Sequence, residues 1–174
     1  MKKFLNRIFG KKATQDKLQS KSLDEILQLE DATETVIQID ELLWGKSKND
    51  TNFESLNDYE KNVLFIGMLE REVNNGGFDQ YFFNSSGEYA HETLTALKDI
   101  NAPKMAAILH QAIKIFPTVP IPKNAEARRE CMEKISETIT DNWDSLDNEF
   151  YQYPENLTEL SIEYVKNNKS KFQL

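Results

Sequence analysis

The sequence predicts an all-α fold, in which about eight helices form a single compact domain around a central buried helix. Apolar residues recur at intervals of three and four along most of the 174-residue chain, which is the spacing of one helix face. Capping residues and prolines stand where these stretches begin or end. The alternation of polar and apolar residues that marks β-strands between hairpin turns is absent from the sequence.

The first two helices are predicted from a capping motif and a glycine. Ser22 with Glu25 three residues later has the spacing of a capping box, so a helix is expected to start near Ser22. A second apolar set runs to Trp44 and is expected to end at Gly45, because glycine readily adopts the left-handed conformation of a helix end. The polar residues 46–54 are then expected to form a loop.

The strongest helical pattern runs from Asp58 to about Asn74 and predicts the central helix. Apolar residues cover most of its surface, which is typical of a helix that is packed on most sides. The pair Gly76 and Gly77 is expected to end it. A short further helix is expected from Phe78 onward, because aromatic residues recur there at helical spacing.

Five more helices are predicted after this point. Ser85 and Glu88 repeat the capping-box spacing. Pro103 suits the first turn of a helix, because its missing N–H is unbonded there in any case. Asn124 can cap a helix that is expected to reach Ile139. The last two predicted helices cover residues 143–153 and 154–168.

The composition indicates a globular protein of a reducing compartment. Ten Phe, six Tyr and two Trp supply large side chains for a core. The single cysteine, Cys131, excludes an internal disulfide and favours the cytoplasm. Two histidines and one cysteine cannot form a three-histidine or multi-cysteine zinc site. We expect neither a metal nor a cofactor, and a metal site made only of carboxylates stays open as an alternative. No apolar run is long enough to cross a membrane.

The net charge of −8 is unevenly distributed along the chain. Residues 135–165 contain eight acids and no Lys, Arg or His, whereas ordinary soluble surfaces mix both charges. We interpret these acids as a candidate surface for a basic protein partner. They are Glu137, Asp141, Asp144, Asp147, Glu149, Glu155, Glu159 and Glu163. The same acidic field repels nucleic acid, which argues against direct binding of DNA or RNA.

A basic arm precedes the predicted domain. Residues 1–12 carry five bases and no acid, and their apolar residues could form one or two amphipathic turns. We expect residues 1–21 to be a flexible arm and residues 22–174 to be the single all-α domain. An anionic membrane, a neighbouring subunit or the acidic domain itself could bind residues 1–12, so peripheral membrane contact stays open as an alternative.

One stretch, LEREVNNGGFDQYFFNSSG from Leu69 to Gly87, carries a resemblance to a known family. The residues that fit the family pattern are Glu70, Glu72, Asn74, Asn75, Gly76, Gly77, Phe78, Gln80, Tyr81, Phe82, Asn84 and Gly87. In these residues the chain resembles the bacterial DNA-mimic protein family. Looser similarity extends over about residues 55–172, and an arginine-bearing helix around Arg128 is part of it.

This resemblance implies an all-α fold, self-association as a homodimer, and an acidic surface that imitates duplex DNA. Such a surface would occupy the DNA site of a helix-turn-helix regulator and so relieve its control. Carboxylates on a rigid helical scaffold could substitute for phosphates, because B-DNA carries about one negative charge per 1.7 Å of its axis. The expected partner is therefore a basic protein surface, and a DNA-binding regulator in particular.

Two other functions remain open at this level. An enzyme could build a polar pocket from Glu70, Glu72, Asn74, Asn75 and Gln80, and it would need a deep cleft with convergent polar groups there. No catalytic set of residues can be assigned from the sequence. A membrane-associated or scaffold protein could instead use the basic arm, although an acidic domain is repelled by anionic lipids.

Glu70 is a motif residue for which both a catalytic and a structural role can be argued. It falls on the apolar stripe of the central helix, so its carboxyl is expected to be partly buried. Burial raises a carboxyl pKa, as in a catalytic acid or base. We favour a structural role, in which Glu70 accepts a tyrosine hydroxyl or the free N–H groups beside Gly76 and Gly77.

Overall fold

Helices form the framework of the chain, and the described residues contain no strand. The computed structural model describes residues 21–48, 50, 52–135 and 137–174, without the side chains of residues 137–142. The predicted basic arm therefore lies outside the described residues, apart from Lys21. The all-α prediction is confirmed.

The part of the chain that the structure describes contains eight α-helices. They are α1 (Leu23–Ile26), α2 (Ala32–Ser47), α3 (Asp58–Phe83), α4 (Ala90–Asp99), α5 (Pro103–Lys114), α6 (Ala125–Glu133), α7 (Glu137–Phe150) and α8 (Leu157–Asn167). Two short 3₁₀ helices cover Ser85–Tyr89 and Lys169–Lys171.

The long helix α3 lies at the centre of the fold, as predicted. It packs against α2, α4, α6, α7 and α8. Its start is held by a capping box, in which Asn57 accepts the Glu60 backbone N–H while the Glu60 carboxylate accepts the Asn57 N–H at 3.0 Å. Residues on several sides of the helix, among them Leu64, Leu69 and Phe78, are fully buried. Burial of such side chains stabilises the fold by roughly 1.5–3 kcal/mol each.

Two apolar cores share α3. The larger core lies between its second half and helices α4, α5 and α7, where Phe82 packs against Phe116 and Trp143 with ring centroids 4.9 and 5.4 Å apart. The smaller core lies between its first half, α1, α2 and the end of α8, around Leu43 and Leu64. Helices α1 and α2 are therefore part of the folded body.

A buried carboxylate ties α2 to α3 and to the last described residues. Glu60 is fully buried, and the Lys46 ammonium lies 2.8 Å from both of its carboxylate oxygens. The Gln173 backbone N–H donates to the same carboxylate at 2.9 Å. Because a buried charge is tolerated only when it is paired and hydrogen-bonded, these partners are what make the site stable.

A buried arginine joins the end of α3 to the loop before α6. The Arg128 guanidinium is fully buried and donates to four backbone carbonyls. Two belong to Phe82 and Asn84 at the end of α3, at 2.7 and 2.8 Å. The cation therefore satisfies carbonyls that have no partner within the helix, where the helix dipole also favours positive charge.

Several predicted boundaries need correction. Gly45 does not end α2, which continues to Ser47, because this glycine takes an ordinary helical conformation in open space. Ser85 and Glu88 do not form a capping box. Their segment is a 3₁₀ helix, and α4 begins only at Ala90.

The boundary between α6 and α7 was also misplaced. The helix capped by Asn124 ends at Glu133 and not near Ile139, and α7 already begins at Glu137. The apolar spacing continues across this short break, so periodicity alone could not reveal it. The predicted cap is nevertheless confirmed, since Asn124 Oδ1 accepts the Ala127 N–H at 2.9 Å.

Candidate functional site

The two glycines of the family motif produce a sharp kink in α3. Gly77 has φ 71° and ψ −174°, a combination that is essentially restricted to glycine. At the kink the Phe78 N–H donates to the Asp147 carboxylate of α7 at 2.8 Å. A Cβ at Gly77 would overlap that same carboxylate. Gly77 is therefore needed both for the backbone conformation and for the close approach of α7.

Polar residues of the motif form hydrogen bonds across this kink, and we call this network the brace. The Glu72 carboxylate, on the first half of α3, accepts the side-chain amides of Gln80 on the second half and of Asn84 just after the helix, at 2.7 and 2.8 Å. The Asn75 amide donates to Gln80 Oε1 at 2.9 Å. A cavity of about 550 Å³ runs over these residues, but their hydrogen-bonding groups are turned toward each other. This pairing favours a structural role for the polar motif residues over an enzyme pocket.

The buried members of the motif belong to the larger core. Phe78 and Phe82 are fully buried, and the buried Tyr81 hydroxyl donates to the Thr93 hydroxyl at 3.0 Å. Gly87 lies against the end of α3, where a Cβ would come within 2.7 Å of the Phe82 carbonyl oxygen. The resemblance is thus carried by residues that build the kinked helix and its neighbours.

Glu70 lies apart from this brace, on the side of the kink that faces the end of α7. Burial raises the pKa of its carboxyl to about 7, and a hydrogen bond with the Tyr153 hydroxyl offsets this only in part. The Asn74 amide donates to the same hydroxyl. The expected tyrosine contact is therefore present, whereas the backbone N–H at the kink is bound by Asp147.

Stability should depend on pH through Glu70, and Glu70→Gln should remove that dependence. The raised folded-state pKa means that folding binds a proton, so the unfolding free energy of the wild type falls as pH rises from about 4.5 to about 7. Glutamine can still accept the Tyr153 hydroxyl and has no charge to desolvate. The variant should therefore exceed the wild type by about 1–3 kcal/mol near pH 8 and match it near pH 4.5.

Urea denaturation of both proteins at several pH values measures this difference. The other titrating groups contribute equally to both curves, so the difference between the two unfolding free energies reports on Glu70 alone. Parallel curves over the whole range would show that Glu70 has an ordinary pKa in the folded protein.

The acids of the base-free block do not all face solvent, because two of them bind backbone N–H groups inside the fold. Asp147 binds the kink, and burial raises the pKa of its carboxyl. The Glu155 carboxylate accepts the N–H groups of Lys104 and Met105 at the start of α5, at about 3 Å. The side chains of Glu137 and Asp141 lie outside the described residues. The acids of the block that are exposed in the structure are Asp144, Glu149, Glu159 and Glu163.

Two of these exposed acids lie on α8 between adjoining clefts. A cleft of about 590 Å³ separates α8 from α3 and α4, and its lining includes Asp58, Asp99 and Glu163. A second cleft of about 390 Å³ separates α8 from α1 and α2, and its lining includes Glu163 again, with Glu30 and Glu159. Glu163 therefore stands on the ridge between the two.

These five carboxylates are exposed and come from four separate parts of the chain. Among the described residues none of them is in an ion pair, and Asp99 accepts only a hydrogen bond from the Asn62 amide, at 2.9 Å. The first cleft contains no base among its lining residues, and the second contains Lys166. Sequence reasoning missed Glu30, Asp58 and Asp99, because nothing local indicates that distant helices bring them beside α8.

Residues 54–168 match the sequence model of the DMP19-like protein family. The chain belongs to the DMP19-like protein family. Comparisons with curated proteins and with solved structures found no match. The match covers about two-thirds of the chain and confirms the resemblance read from the motif.

The DMP19-like region contains the kink, its brace, the buried Arg128 and the whole of the first cleft. Helices α1 and α2, which form one wall of the second cleft, precede it. Within the described residues no group of three or more His, Cys, Asp or Glu is arranged to hold a metal ion. No helix in that part of the chain is long and apolar enough to span a membrane.

Proposed function

We propose that this DMP19-like chain binds a basic protein through the acidic surface formed by its two adjoining clefts. We call this surface the α8 surface, and it comprises Glu30, Asp58, Asp99, Glu159 and Glu163. The observation that carries the proposal is the convergence of five exposed carboxylates from distant segments on one ridge and its flanking clefts. Such a field attracts basic surfaces and speeds their association.

The residues that hold these carboxylates support a rigid arrangement. The two carboxylates on α8, Glu159 and Glu163, stand one turn apart on the same helix face. Asn156 caps the start of α8, and Val165 anchors its inner side in the smaller core. Because the backbone of α8 is fixed, binding a partner would order only the exposed side chains of Glu159 and Glu163 and not the helix that carries them.

The partner we infer is a DNA-binding regulator whose DNA site the α8 surface would occupy. In duplex DNA, ridges of phosphates separate two grooves, and on α8 the exposed Glu163 carboxylate likewise stands between two clefts. Membership of a DMP19-like family, which resembles the DNA-mimic proteins, supports the same inference. Self-association, which the resemblance implies, remains an expectation that sedimentation velocity would test.

The experiment compares partner capture by the wild type with capture by a charge-reversed variant, Asp99→Lys/Glu159→Lys/Glu163→Lys. A matched control, Glu126→Lys/Glu130→Lys/Glu133→Lys, changes the net charge equally through three exposed acids of α6. The three chains are used as bait in an extract of the native host. A true partner should be retained by the wild type and the α6 variant and lost by the α8 variant.

The captured partner is then purified and titrated with the chain over a salt series, with and without duplex DNA. Binding should weaken steeply with salt, because exposed charges are screened within about 8–10 Å at physiological ionic strength. Duplex DNA that contains the partner's site should displace the chain. A partner that binds both variants equally rules out the α8 surface, and a partner that binds chain and DNA together rules out mimicry.

A further inference from the structure

We propose that the basic arm, residues 1–12, docks on an exposed face of α2 in its own chain. This inference is independent of the α8 surface. It rests on an open groove along α2, on the composition of the arm, and on the position at which the arm joins the described chain.

The groove has a volume of about 830 Å³ and runs along one face of α2. The α2 residues that line it are Glu34, Ile37, Gln38, Glu41, Leu42, Gly45 and Lys46, and Gln173 and Leu174 line it as well. The α2 residues lie along one side of the helix over three turns, with Ile37 and Leu42 as the apolar residues among them. Ile37 is nevertheless 47% exposed, and nothing in the described chain lies within 4 Å of a Cβ built at Gly45. A second helix could therefore approach α2 closely here.

The arm has the composition that this groove requires. Its apolar residues Phe4, Leu5 and Ile8 could cover Ile37 and Leu42. Its five bases are accompanied by no acid. The groove is apolar at its centre and has carboxylates on its rim.

Charge on the rim favours a basic occupant. Glu34 and Glu41 are exposed acids beside the apolar centre. Two bases also line the groove, but the Lys46 ammonium is already held by the buried Glu60 carboxylate, at 2.8 Å. Lys21 is the residue at which the arm and its linker enter the described chain.

The length of the chain allows the arm to reach its site. Lys21 itself lines the groove, so the linker of residues 13–20 joins the described chain beside the site at which the arm would dock. Residues 13–20 can span at most about 26–29 Å when extended. The 16 residues of α2 cover about 24 Å, so this reach is as long as the groove along α2. The arm and its groove both lie outside the DMP19-like region at residues 54–168, so they would form a device added to the family fold.

Hydrogen–deuterium exchange of the full chain tests the docking directly. Isolated helices shorter than about 12–15 residues are marginal in water, so the arm amides should be protected only if the arm is docked. We expect exchange of residues 4–12 to be slowed by about tenfold or more relative to a free peptide of the same sequence. Ile37→Glu in the groove and Ile8→Glu in the arm should each abolish the protection. Glutamate is a good helix former, so loss in the second variant would reflect lost docking.

A matched control is Thr33→Glu, at an exposed α2 position outside the groove, which should leave arm protection unchanged. Exchange of α3 in the same samples reports whether each variant is folded. Arm amides that exchange at the free-peptide rate in the wild type overturn the proposal. Protection that appears only as the chain dimerises at higher concentration also overturns it, because the occupant would then be the arm of a second copy.

Discussion

An Arg128→Met variant should lose about 3–5 kcal/mol of unfolding free energy. The guanidinium is fully buried and donates to four carbonyls at 2.7 to 3.1 Å. Methionine has a similar length but no donor, so these carbonyls would remain desolvated without partners. The loss should be cooperative, because the same side chain joins the end of α3 to the carbonyls of Pro122 and Lys123 in the loop before α6.

The neighbouring arginine provides the control. Arg129 is exposed, donates to the Phe83 carbonyl at 3.1 Å and lies over the Phe83 ring with its guanidinium carbon 4.2 Å from the centroid. Arg129→Met removes the same charge from the same helix, and it should cost about 1 kcal/mol or less. Equal losses in the two variants, measured by urea denaturation, would mean that the buried hydrogen bonds of Arg128 contribute little net stability.

The features that could be predicted from sequence are those whose chemistry is local. The capping box of Ser22 with Glu25 is formed, and Pro103 occupies the first turn of α5. The break at Gly76 and Gly77 is also where it was predicted. In the first case the partner is three residues away, and in the other two the signal is the backbone preference of the residue itself, so the local sequence is enough to predict the feature.

Interactions between distant segments could not be predicted in the same way. The carboxylate that binds the N–H of Phe78 belongs to Asp147, 69 residues away, although Glu70 was the nearer candidate. The caps of α5 come from Glu155, about fifty residues along the chain. The sequence shows which residues are acidic and where they cluster. Packing decides which of these acids bind groups inside the fold and which remain exposed for a partner.

The same limit applies to the candidate binding surface. A block of eight acids between residues 135 and 165 suggested one continuous face. In the structure only Glu159 and Glu163 of that block contribute to the α8 surface, together with three acids from other segments. A composition count along the chain cannot detect a surface that is assembled across helices.

Gly77→Ala should destabilise the protein by about 3–5 kcal/mol, for two physical reasons that add. The backbone angles of φ 71° and ψ −174° are strained for any residue with a Cβ. In addition, that Cβ would overlap the Asp147 carboxylate, which must move away and release the Phe78 N–H. Burial of Phe78 and the packing of α7 on α3 both depend on this contact, so thermal and urea denaturation should show a single, earlier transition.

Gly45→Ala is the control, because it replaces a helical glycine at a position where neither backbone strain nor steric overlap arises. Gly45 lies in α2 with an ordinary helical conformation and no atom within 4 Å of the added methyl group. Alanine is the better helix former, so this variant should gain roughly 0.5–1 kcal/mol. A Gly77→Ala/Asp147→Ala double variant relieves the overlap but leaves the backbone strain, and it should lose less than the two single losses added together. If Gly77→Ala proves as stable as Gly45→Ala, the kink is able to relax, and Gly77 is not required by the fold.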